Sequence, residues 1–106
     1  YLLNMFLLSI KKSNLPEKKM TAKFCMCKKK LACKGSNTKT VQFGQKGSST
    51  FIDHGDEQKK DAYIARHKVN ENFQDPLTAG ALSRWILWNK KTLSASIADF
   101  KKRFNL

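Results

Sequence analysis

The chain has 106 residues, with 21 basic side chains against 8 acidic ones and a formal charge of +13. A chain of that length makes one domain with one modest core, and such a charge implies acidic partners, whether phosphate backbones, anionic headgroups or acidic protein surfaces. Eighteen of the basic residues are lysine and only Arg66, Arg84 and Arg103 are arginine; with so few planar guanidinium forks, base-specific reading of nucleic acid is not expected.

In chain order, the first ten residues, YLLNMFLLSI, are apolar and too few to cross a bilayer alone, since a span needs about 20. Three readings stand for them: a truncated anchor or signal segment that meets lipid, an arm docking into a partner's groove through Leu2, Leu3, Phe6, Leu7, Leu8 and Ile10, or a strand or helix over the protein's own core. The arm is favoured, because SNLPEKK (13–19) reads as a polar linker. The division is then an arm with its linker over 1–19 and a single domain over 20–106.

From Met20 to Phe51 the pattern changes to short alternating runs separated by Gly35-Ser36-Asn37 and by Gly44 to Ser49. The β-branched and aromatic residues Thr40, Val41, Phe43, Thr50, Phe51 and Ile52 favour strands, so a small antiparallel sheet over about 22–52 is expected. This half also holds the charge: residues 11–46 carry eleven lysines against Glu17 alone. Lys11, Lys12, Lys18, Lys19, Lys28, Lys29, Lys30 and Lys34 are the expected basic surface. Cys25, Cys27 and Cys33 are odd in number and lack the four-ligand spacing of a zinc site; they read as reduced, partly buried thiols.

Beyond Asp53 the chain reads as helical. DEQKKDAYIARHK starts acidic and ends basic, which complements the helix dipole and predicts a helix near 56–68 leaning on the sheet. VNENFQDP (69–76) is a loop. Thr78 is placed to cap a helix over Ala79–Trp88 with Leu82, Trp85, Ile86 and Trp88 near one face, ending at Asn89 as a left-handed cap. Thr92 or Ser94 starts a last helix whose Leu93, Ile97, Phe100 and Phe104 form an apolar stripe. The two helices should pack as a hairpin over 79–104, with Leu82, Trp85, Ile86, Leu93, Ile97 and Phe100 as the core. The fold class is α+β: a small antiparallel sheet, a helix and a C-terminal helical hairpin.

No catalytic motif emerges. FGQKGSS lacks the spacing of a phosphate loop, and the only histidines, His54 and His67, flank Asp56, Glu57 and Asp61 in an arrangement that helix capping already explains. No catalytic, cofactor or metal site is therefore expected. Lysines beside phenylalanines in KKSNLPEKKMTAKF and KKTLSASIADFKKRF would suit stacking on single strands, but Phe100 and Phe104 are needed in the stripe.

TVQFGQKGSSTF (40–51), YIARHK (63–68) and TAGALSRWILWNKKTLSASIADFKKRFNL (78–106) together resemble a family of short proteins encoded by large DNA viruses of eukaryotes, algal and amoebal giant viruses among them. The shared blocks are a strand ending in FG, a Y-I-x-R-H block and a T-A-G-x-x-S-R-W-x-L-W-N-K block, and the resemblance spans about residues 23–106. It implies a structural virion protein: a minor capsid protein that bridges or cements neighbouring capsid proteins on the inner side of the shell. The alternative it leaves is a small basic virion protein that binds packaged nucleic acid without sequence specificity.

Overall fold

The computed structural model describes residues 5–26 and 38–106, and the architecture is α+β. Three antiparallel strands come first: β1 (Phe6–Lys12), β2 (Lys18–Cys25) and β3 (Thr38–Gln45), in the order β1-β2-β3. Helices follow as α1 (Phe51–His54), α2 (Glu57–His67), α3 (Ala79–Leu82), a π-helical turn (Ser83–Leu87) and α4 (Leu93–Phe104). No helix among the described residues is long and apolar enough to cross a membrane.

The described part of the apolar start is not a separate arm. It is the first strand of the sheet, paired with β2 from Phe6↔Cys25 to Lys12↔Met20. Residues 13–17, expected as a linker, make the turn of that β1–β2 hairpin. The physical reason is apolar burial with one bulge: Leu7 and Ile10, three apart, both fall on the core face opposite Phe24 and Ala22 because the register shifts between them, and Met5 and Leu7 enter the core itself. A register shift at Leu8 leaves that residue exposed in a bulge. Leu2 and Leu3 lie outside the described residues. The domain therefore includes Met5–Lys12 rather than starting at Met20.

One face of the sheet, made by Leu7, Met20, Ala22, Phe24 and Phe43, packs under the helical layer. Leu82, Trp85, Ile86 and Phe100 are buried as expected, while Leu93 and Ile97 are half-buried and pack against that core. Phe24 meets Phe100 across the layers with ring centroids 6.5 Å apart, and Phe104 lies 5.2 Å from Phe100. Burying each such ring or aliphatic group stabilises by about 1.5–3 kcal/mol.

Thr50, Phe51 and Ile52 do not extend the sheet. Thr50 caps α1 instead, its N–H donating to the Asp53 carboxylate at 2.7 Å; this local bond favours a helix start over a strand. The same bond, with Lys19 beside it, holds the Asp53 carboxyl below its usual range. Asp56 caps α2, accepting from the Gln58 and Lys59 amides, and α2 runs close to the range expected. It buries no residue and does not lean on the sheet; Lys60 Nζ donates to Asn89 O at 2.9 Å and Tyr63 stacks on Trp88.

Thr78 and Thr92 cap their helices through the Ala81 and Ala95 amides. The helix expected over Ala79–Trp88 changes pitch at Ser83: Trp88 N–H bonds to Ser83 O, five residues back. A π turn is wider than an α turn, so Trp85 and Trp88, three apart, leave the shared face that α-helical spacing gives them. Asn105, not Asn89, takes the left-handed conformation. Asn89 is instead buried, its side-chain amide donating to Asp99 Oδ2 at 2.6 Å. Burial opposes ionisation of Asp99, but this bond and Arg103 outweigh it and lower its pKa.

Candidate functional site

The two tryptophans anchor two different assemblies. Trp85 is 8% exposed, and its indole N–H donates to Phe73 O at 2.8 Å, tying the 68–78 loop to the core. The guanidinium groups of Arg84 and Arg103 lie 4.1 and 3.8 Å from its ring centroid, and Phe104 meets it edge-on. Burial, and then the neighbouring Arg103 charge, lower the Arg84 pKa. Arg103 pairs with Asp99 at 3.3 Å, and Arg84 donates to Trp88 O. Two of the three arginines are thus used to fasten the helical hairpin.

Trp88 belongs to a stack that joins both histidines. His54 lies 5.4 Å from Trp88; Trp88 and Tyr63 are parallel at 4.4 Å; Tyr63 and His67 stack at 4.1 Å. At one end His54 Nδ1 accepts from the Asp56 N–H, so in the neutral ring the proton sits on Nε2, which is buried without a hydrogen bond among the described residues. At the other end His67 Nδ1 lies 3.4 Å from Glu71 Oε2, a contact that becomes an ion pair when the imidazole is protonated but is not a hydrogen bond here. Burial, reinforced by the Glu71 charge, pushes the Tyr63 phenol up to about 12.

A cleft of about 540 Å³ opens between the β3–α1 loop, α2 and the start of α3, lined among others by Ser49, Arg66, His67, Glu71, Ser83 and Trp88. Gly80 shapes its floor: a Cβ there would stand 2.8 Å from the Glu71 carboxyl carbon. Two of its rings are already engaged, because Tyr63 lies between Trp88 and His67 and Trp88 between Tyr63 and His54. Phe24, Phe43, Phe51, Trp85, Phe100 and Phe104 are buried. No aromatic ring among the described residues is fully exposed, and no three metal-ligating side chains converge there.

The expected basic surface divides. Lys11 and Lys12 are exposed, and Lys18 is half-buried. Lys19 is committed within the fold, donating to Ser48 O at 2.6 Å and lying 3.7 Å from Asp53. Lys28, Lys29, Lys30 and Lys34 lie outside the described residues, as do Cys27 and Cys33. Cys25 is buried and disulfide-bonded rather than a reduced thiol. Not singled out beforehand are Lys23 and Gln42, which share the other face of the sheet with Lys11. Their alternation with Ala22, Phe24, Val41 and Phe43 was the available signal. The spacing of four between Tyr63 and His67 was likewise a readable sign of contact along a helix, whereas nothing in the sequence joins them to Trp88 or to Glu71, which lies beyond the end of α2.

These features define a small basic α+β protein whose tryptophans are engaged in its own packing and whose sheet keeps one largely polar, lysine-bearing face. The chain belongs to the family of unknown function DUF5754, which it matches over residues 8–67, from β1 to the end of α2. No curated protein and no solved structure matches it significantly.

Proposed function

We propose that the protein is a structural component of the virion of a large DNA virus: a minor capsid protein on the inner side of the shell that holds neighbouring capsid proteins together by charge and shape and catalyses no reaction. One observation carries this reading: the positive charge is concentrated in the first half of the sequence, while the large rings Tyr63, Trp85 and Trp88 are engaged in contacts within the fold. Residues 1–52 hold eleven lysines against Glu17. A surface of that kind attracts acidic neighbours over a distance, and its described strands offer a single half-buried ring, Phe6, rather than a series of rings on which successive bases could stack. The virus-encoded resemblance of the FG, YIARHK and SRWILWNK blocks supplies the setting. The apolar start supports the reading differently from an arm: as β1 it widens the rigid sheet presented to a neighbour.

A second reading, non-specific binding of packaged nucleic acid, is favoured by the net charge alone. The two separate when purified particles are emptied by nuclease and the shells are collected. The protein stays with the emptied shells if it cements capsid proteins. Its release with the digested genome would overturn that role in favour of the second reading.

A further inference from the structure

The face of the sheet that turns away from the helices carries three cross-strand rows: Phe6–Cys25–Thr38, Ser9–Lys23–Thr40 and Lys11–Thr21–Gln42. In the first row Cys25 is fully buried, and Phe6 and Thr38 are half-buried. The other two are open: Lys11, Lys23 and Thr40 are exposed, and Ser9, Thr21 and Gln42 half-buried. Gln42 is held in one orientation, because its Oε1 accepts from both Ser13 Oγ, at 2.6 Å, and Thr21 Oγ1. Its amide N–H groups are therefore left as donors. No carboxylate stands on any strand; Glu17, in the β1–β2 turn, is the one acid before Asp53.

We propose that this face, centred on Lys11, Lys23 and Gln42, is the surface through which the protein docks onto a carboxylate-rich surface of a neighbouring protein. The inference rests on the structural role proposed above and gives it a location. The charge fits: two ammonium groups lie diagonally across adjacent strands, roughly 7–8 Å apart at the backbone, among donors already ordered by the Gln42 network. Such pre-ordering lowers the entropy cost of binding a folded surface. The chemistry fits protein carboxylates better than a phosphate backbone for two reasons. Arginine, the bidentate phosphate ligand, is absent from this face, since Arg84 and Arg103 lie over Trp85 and Arg66 lines the cleft. The groups between the two lysines are neutral hydroxyls and an amide rather than further cations.

The test uses the full chain, a fluorescein-labelled oligoglutamate peptide and a short DNA duplex as probes, in salt near 0.15 M, where charges farther apart than about 8 Å are screened. With the peptide, amide chemical shifts are expected to move at Ser9, Lys11, Thr21, Lys23 and Thr40. A K11E/K23E variant should bind it about tenfold more weakly, and a K101E/K102E variant, with the same change of net charge on α4, less than about twofold more weakly. Unchanged melting curves establish that both variants fold. Equal losses in the two variants, shifts confined to other surfaces, or no peptide binding would overturn the proposal. So would tighter binding of the duplex than of the peptide to this face, which would make it a nucleic-acid surface. Failure of the face is separable from failure of the role: K11E/K23E protein retained normally in emptied shells overturns the face alone, whereas wild-type protein released with the genome overturns the capsid role.

Discussion

The sheet and the helical half solve different problems with different residues. Residues 1–52 carry most of the net charge, with eleven lysines and one acid, whereas residues 53–106 hold ten basic residues against seven acidic ones and both tryptophans. In the helical half, several charges serve as fittings within the fold: Arg84 and Arg103 clasp Trp85, Asp99 receives Asn89 and Arg103, and Lys60 ties α2 to Asn89. On the sheet, Lys11 and Lys23 face solvent. A residue type is thus a poor guide to its job, and the surroundings decide whether a cation holds the fold or meets a partner.

The comparison breaks most visibly at the helical anchor. Trp85→Ala should cost about 3–5 kcal/mol, measured by urea unfolding, because it removes a buried ring, its bond to Phe73 O and the seat of two guanidinium groups. A melting temperature equal to wild type would mean that the hairpin does not anchor the core.

A somewhat smaller effect is expected on the sheet. Leu7→Ala should cost about 2–4 kcal/mol, since Leu7 is buried opposite Phe24. A loss below about 0.5 kcal/mol, the range of ordinary surface changes, would restore the picture of an arm independent of the domain.

Where the two halves touch, Gly44→Ala should cost about 1–3 kcal/mol in the same unfolding measurement. Gly44 has φ 77°, and a Cβ there would lie 2.8 Å from Leu87 Cδ1 and 2.9 Å from Lys19 Cβ. A neutral outcome would show that the β3 end is free to move away from the π turn.

The smallest expected effect concerns the stack on Trp88. Because the folded-state pKa of Tyr63 is raised from 10.0 to about 12, the native protein keeps the phenol proton longer than the unfolded chain. That contribution is fully present below about pH 10 and is lost as pH rises through about 12. Phenolate absorbance should contain a component titrating near 12, and Tyr63→Phe should remove it. Complete tyrosine ionisation near pH 10 would show that α2 does not close over Trp88.

The α+β class, the ranges of α2 and α4, both threonine caps and the buried core at Leu82, Trp85, Ile86 and Phe100 were legible in the sequence because each rests on local pattern: apolar periodicity, a capping hydroxyl or a charge gradient along a helix. β1 was less legible. Its apolar run fits an arm as well as a strand, and only its pairing with β2, with Leu7 and Ile10 on the core side, decides between them. For Phe51 the local bond from Thr50 to Asp53 outweighed β propensity. The separate roles of Trp85 and Trp88 depended on the π turn, since one hydrogen bond from Trp88 to Ser83 alters where each ring points. Sequence alone determined the charge of this protein and its uneven division along the chain. Tertiary structure decided which charges reach the surface, because that depends on partners such as Ser48 for Lys19 and Asn89 for Lys60, which lie far away in the chain and meet only when the chain packs.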